Sequence, residues 1–168
     1  VNALAIAEAY APVPRMGRIA HTGPMTKEAM PWGSMTGVTA ARLAQLGFTG
    51  PRTIYEEGAY NRSCLENLGK SYEILKIYFK PYCACRYTHA ALDIVLELLG
   101  AREFVPDEVV GITVEGGAGA ALLNSTRPNT IEHAQYSFPF VLGAALAYGE
   151  VGPEQMKDDR LGDQALLN

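Results

Sequence analysis

Tyr72-Glu-Ile-Leu-Lys-Ile-Tyr-Phe-Lys-Pro-Tyr-Cys-Ala-Cys-Arg-Tyr-Thr-His89 is where the pattern of this chain changes. From Tyr72 the apolar positions alternate, with Leu75, Ile77 and Phe79 on one side and Ile74, Lys76, Tyr78 and Lys80 on the other, as in a half-buried strand. Past Lys80 a loop begins. Thr88 reads as the N-cap of a helix reaching Leu99, with Leu92, Val95, Leu96 and Leu99 as its buried stripe and Gly100 as its stop. Residues 109–115 alternate again as a second strand, placing Val110, Ile112 and Val114 on one face. Ser137 then caps a last amphipathic helix, where Pro139 is tolerated in the first turn and Phe138, Val141, Leu142 and Ala145 point inward. The order strand, helix, strand, helix predicts an α+β domain over 70–168, and the tail from 154 resembles the start of another helix.

The first part of the chain has a different texture. Residues 1–11 are Ala-rich and helical in pattern, and Pro12 and Pro14 stop them. A second helix is expected from Gly33 to Leu46, ending on Gly47, with the small Gly33, Gly37, Ala40, Ala41 and Ala44 set among bulky Met35, Val38, Leu43 and Leu46. Such a surface lets a neighbouring helix approach closely. A short helix is expected at 53–60. Together these make 1–69 a helical segment, with the boundary to the α+β part near residue 70.

The totals limit the function classes. In 168 residues, 48% apolar, the net charge is −4, and cations are dispersed except near Lys76–His89. A general nucleic-acid surface needs a basic patch and a basic balance, so nucleic acid is not an expected partner. No apolar run is long enough to span a bilayer, and no secretion pattern opens the chain, which makes cytoplasm the default expectation. Three cysteines, Cys64, Cys83 and Cys85, are an odd set read as reduced thiols. Cys83-Ala-Cys85 lacks a second ligand pair at comparable spacing, so no metal site is expected there.

From Lys76 to His89 no carboxylate interrupts the cations Lys76, Lys80, Arg86 and His89. Lys80 ends the expected strand, while Arg86, Thr88 and His89 arrive at the mouth of the expected helix. An organic carboxylate would meet cations, a hydroxyl and first-turn amides there. His89 has the residue type for proton transfer near neutral pH, and Lys80 could hold an enolate-like charge. The alternative is a solvated loop with His89 as a helix-end residue. Glu132-His-Ala-Gln-Tyr-Ser137 offers a second donor set in His133, Gln135 and Ser137, unless Ser137 only caps. Lys27, after Met25-Thr, could reach a site between domains or sit in water.

Other signatures are weak or missing. Glu115-Gly-Gly-Ala-Gly-Ala120 suggests a dinucleotide loop, but Leu122 occupies the third glycine position and no acidic ribose partner stands at the expected distance. No phosphate-binding P-loop, nucleophile elbow or H-E-x-x-H run occurs.

Four motifs in one order carry a family resemblance: Trp32-Gly-Ser-Met-Thr-Gly-Val-Thr-Ala-Ala41, Gly47-Phe-Thr-Gly-Pro51, Phe79-Lys-Pro-Tyr-Cys-Ala-Cys-Arg-Tyr-Thr-His89 and Ala134-Gln-Tyr-Ser-Phe-Pro139. Together they resemble the MmgE/PrpD family, which includes 2-methylcitrate dehydratase, cis-aconitate decarboxylase and iminodisuccinate epimerase. The resemblance implies a large helical domain with a smaller α+β lid, the active site between them, so 1–69 would be the end of the helical domain and 70–168 most of the lid. It implies that the chain is a central fragment of a longer enzyme. By the same resemblance Lys80 and Lys27 match active-site lysines, and His89 closes the K-P-Y…T-H pattern. Cys85 stands where some members place a His, and Tyr82, Arg86, Thr88, Gln135 and Ser137 become candidate substrate contacts. The His expected shortly after the first Lys is replaced by Met30-Pro-Trp-Gly33. Members perform cofactor-independent lyase or isomerase chemistry on small di- and tricarboxylic acids and are typically homodimers. A non-catalytic binding or scaffold remnant of the same fold is the alternative.

Overall fold

The structure, a computed structural model, describes residues 1–11, 25, 30–51, 66–102 and 104–167. They divide into two compact units, one built from the helices that precede Tyr78 and one running from Phe79 onward.

In the first unit, Asn2–Ala9 forms α1 and Met30–Gln45 forms α2. α2 starts ahead of the expected Gly33 because Pro31 fits a first turn, where the N–H it lacks would have no intrahelical partner. It ends as expected, with Gly47 at φ 90°. The two helices pack together, burying Ala5, Ile6 and the small Ala40. Gly50 passes α1 so closely that a Cβ would stand 2.6 Å from the Ile6 nitrogen, so only glycine fits. Trp32 is 57% exposed. The helix expected at 53–60 lies outside the described residues, as do Lys27 and Cys64.

The α+β expectation is overturned: among the described residues the chain is helical and contains no strand. The first expected strand is a 3-10 turn, Glu73–Lys76, followed by irregular chain. Local bonds hold that turn, from the Leu75 N–H to the Tyr72 carbonyl at 3.1 Å and from Lys76 to Glu73 at 2.7 Å. Both of its faces are open, with Leu75 82% and Ile74 68% exposed. Alternation marks a face that a partner strand could cover, but without a ladder the backbone gains nothing from extension and takes the i to i+3 bond instead. At 109–115 the result is the same. No ladder bond reaches that segment among the described residues, and Val110 is fully exposed.

The second unit is organised by two helices, α3 (His89–Gly100) and α6 (Phe138–Tyr148), separated by the single-turn α4 (Ala118–Ala121) and α5 (Ile131–Ala134) and followed by α7 (Gln164–Leu167). α3 buries Leu92 and Val95 and half-buries Leu96 and Leu99, the stripe its periodicity predicts. Gly100 stays helical, and the chain turns away at Arg102, whose φ is 57°. α6 is buried almost all round. Besides the expected Val141, Leu142 and Ala145 it buries Phe140 and Ala144 completely. The hydroxyl of Ser137 accepts the Phe140 N–H at 3.0 Å, which is the N-cap expected of it, and Gly149 ends the helix at φ 70°. The tail folds back as two 3-10 turns and α7, contributing Met156 and Leu166 to the core. Its Asp163 accepts bonds from the Tyr148 hydroxyl and from Arg160, whose guanidinium also lies 4.7 Å over the Tyr148 ring.

Candidate functional site

The loop from Lys80 to His89 is clamped by backbone bonds that no side-chain pattern announces. The Cys83 N–H donates to the Val151 carbonyl at 3.0 Å, and the Cys85 N–H donates to the Gln135 carbonyl at 2.7 Å. The second bond ties the two donor sets together, one at the mouth of α3 and one between α5 and α6. Ala84, between these anchors, is buried.

A 3-10 turn, Arg86–Thr88, then feeds directly into α3. Thr88 does not cap α3 as expected. Its backbone is already helical, at φ −86° and ψ −15°, and its fully buried hydroxyl turns back to donate to the Cys85 carbonyl at 2.8 Å. The first-turn amides therefore receive nothing from it. His89 is 4% exposed, and its Nε2 lies 3.2 Å from the Ala84 carbonyl oxygen. A carbonyl can only accept, so in this bond Nε2 carries the hydrogen, and the neutral ring keeps its basic lone pair on Nδ1.

Tyr82 completes the cluster. Its hydroxyl donates to Asp93 Oδ1 at 2.6 Å, and its ring meets the His89 imidazole edge-on with centroids 5.2 Å apart. The bond to Asp93, with burial and the carboxylate's charge behind it, raises the phenol above its ordinary pKa of 10.0. Asp93 was not among the residues singled out from sequence. The available signal was its position four residues after His89, which puts both on one face of α3.

The structure thus gathers Tyr82, Cys85, Thr88, His89 and the Gln135 backbone. Ser137 is turned elsewhere: fully buried, it donates to the Ser125 carbonyl at 2.5 Å while capping α6. Lys80 and Arg86 are exposed, and Lys80 makes no ion pair with the described residues. Cys83 and Cys85 are half-buried free thiols, and among the described residues no group of three His, Cys, Asp or Glu side chains could hold a metal ion.

Cavities open among the described residues of this unit. A groove of about 1120 Å³ of mixed polar and apolar lining runs between α6 and the 105–124 stretch, past Val110, Ile112 and Leu146, and a smaller one of about 360 Å³ lies between Ile94, Gly117 and Phe138. None of the described candidate residues lines either cavity. The glycine loop at 115–120 leads into the single turn α4, with the Tyr87 ring 3.7 Å from where a Gly119 Cβ would lie.

Residues 82–168, just over half the chain, match the MmgE/PrpD C-terminal domain. The chain belongs to the MmgE/PrpD family. Tyr82, Cys85, Arg86, Thr88, His89, Gln135 and Ser137 lie within the matched span, whereas Lys80 stands just ahead of it and Lys27 far before it. No curated protein matches the chain. No helix among the described residues is long and apolar enough to cross a membrane.

Proposed function

We propose that this protein performs cofactor-independent lyase or isomerase chemistry on a small di- or tricarboxylic acid, in the manner of a 2-methylcitrate dehydratase. The first step is loss of a proton from the carbon next to a carboxylate. The electron pair of that C–H bond moves into the carboxylate to give an enolate-like species, and the proton passes to a base. His89 is assigned as that base or its orienter, with Nδ1 as the accepting atom. Lys80 and Lys27 hold the developing negative charge, and Tyr82, Cys85, Arg86, Thr88 and Gln135 shape or bind the rest of the acid, while Ser137 supports the site from within as the cap of α6. The species then expels a leaving group or is reprotonated.

The observation that carries this reading is the ordered His89 at the mouth of α3, with Nε2 committed to Ala84, in a stretch from Lys76 to His89 that holds no carboxylate. Membership of the MmgE/PrpD family supports it. Lys80 lies in water, and its four-carbon stem is the means by which it would reach a bound acid. Replacing Lys80 with Ala in the intact protein and measuring turnover at saturating acid tests its role: a loss of about a hundredfold is expected of a charge-stabilising donor, and unchanged turnover removes the assignment.

The inward commitment of the Thr88 and Ser137 hydroxyls favours the second reading, a binding or scaffold member of the fold. Calorimetric titration with citrate-like acids separates the two. Absence of saturable heat supports the scaffold. The exposure of Met30, Trp32, Met35 and Val38 on α2 supports a homodimer formed through that segment, and sedimentation of the intact protein as a monomer would remove it.

A further inference from the structure

His89 and Asp93 stand one turn apart on α3, and Tyr82 spans them. Its hydroxyl is bonded to Asp93 and its ring forms a T-shaped pair with the imidazole, with 76° between the two planes. The phenol proton is spent on the carboxylate, so what Tyr82 presents to His89 is its ring and not an acid. The exposed Asp93 makes no ion pair with the described residues, and Tyr82 is the partner its carboxylate has among them. An exposed carboxylate with one phenol partner contributes little to stability. It does, however, fix where that phenol can be. Tyr82 lies on a loop with its half-buried ring packed against the core, and the bond to Asp93 sets where the hydroxyl end of that ring points.

The consequence falls on the imidazole. A histidine held by one bond, from Nε2 to Ala84, can still flip its ring or exchange tautomers. A ring pressed edge-on against it closes that freedom. We infer that Asp93 is a positioning residue for the reaction proposed above, acting through the Tyr82 ring to keep the His89 imidazole in the tautomer and orientation that leave Nδ1 as the proton acceptor. This rests on the assignment of His89 as the group that handles the proton, and the Asp93–Tyr82–His89 relay is itself a matter of geometry.

The test uses the intact protein and the variants Tyr82→Phe, Asp93→Ala and Asp93→Asn, with two readouts. The first is the nitrogen spectrum of the ¹⁵N-labelled His89 imidazole without substrate, which reports tautomer and ring order. Y82F and D93A are expected to shift and broaden the Nδ1 and Nε2 signals toward a mixed tautomer. D93N, whose amide oxygen still accepts the phenol proton, is expected to recover the signal that D93A loses. The second readout is steady-state kinetics of D93A: because the damage is misplacement of a reacting group, kcat is expected to fall about tenfold to a hundredfold with KM nearly unchanged. Imidazole signals in Y82F and D93A that match the wild type overturn the relay, whatever the turnover. D93N as perturbed as D93A also overturns it, since charge and not the bridging bond would then be at work. A displaced imidazole signal in a protein that turns over no carboxylic acid overturns the reaction assigned to His89 and leaves the relay standing, so the two failures are distinguishable.

Discussion

Replacing Ser137 with Ala separates a structural serine from one that touches substrate. Its oxygen accepts the Phe140 N–H at 3.0 Å and donates to the Ser125 carbonyl at 2.5 Å, and both Ser137 and Phe140 are fully buried. Losing an N-cap costs about 1 kcal/mol, and losing a second neutral hydrogen bond costs about 1 kcal/mol more. The Phe140 amide cannot turn to water because nothing of that residue is exposed, which pushes the sum upward. The expected loss is therefore about 2–3 kcal/mol. For a urea slope of about 2 kcal/mol per molar, this moves the unfolding midpoint of the intact protein down by roughly 1 M. KM for the acid should stay as it was. A midpoint within about 0.2 M of wild type together with a raised KM would refute the argument, and would place Ser137 at the substrate.

Other consequences follow from the packing of the second unit. Gly143 lies inside α6, where Ala is ordinarily better by about 1 kcal/mol, but a Cβ there would stand 2.9 Å from the Leu166 carbonyl oxygen. Overpacking outweighs propensity, so G143A is expected to destabilise by roughly 1 kcal/mol and to speed hydrogen exchange at 164–167; a more stable protein with a protected tail contradicts the contact. Phe140, absent from the stripe read off the sequence yet fully buried, should cost about 3–5 kcal/mol when replaced by Ala in urea unfolding, and a loss under about 1 kcal/mol would show that the site is not packed. The bond from Tyr148, ahead of those from the Ala165 amide and Arg160, holds the Asp163 carboxyl below its ordinary 3.8. A depressed folded value means that its contribution is present above the ordinary value and disappears as pH falls through the folded one. Acid titration of wild type should thus show a loss of stability in that window that D163N lacks, and coincident curves would argue against the bond.

Local signals were the legible ones. Gly47 as a helix stop, Ser137 as a cap and the Leu92 to Leu99 stripe depend on neighbours within a turn or two, and the structure has them. The expected strands failed because alternation at 72–80 and 109–115 records a face to be covered, while a strand requires a partner edge that no short-range pattern contains. Phe140 was missed because α6 is apolar on every side, so a stripe drawn on it understates its burial. At the site, residue types and the carboxylate-free stretch from Lys76 to His89 were visible from the start. The direction of each hydroxyl was not, since Thr88 answers to Cys85 and Ser137 to Ser125, through bonds set by the path of the chain. Asp93 was overlooked for a related reason: its partner Tyr82 lies eleven residues earlier, across a loop.

The most direct measurement is hydrogen exchange at carbon. The intact protein, incubated in D2O with a panel of small di- and tricarboxylic acids, should place deuterium on the carbon next to a carboxylate of at least one of them, and His89→Gln should abolish that incorporation while still binding the acid. Saturable binding with no deuterium entering any acid, or incorporation that continues undiminished in the His89 variant, would contradict the account.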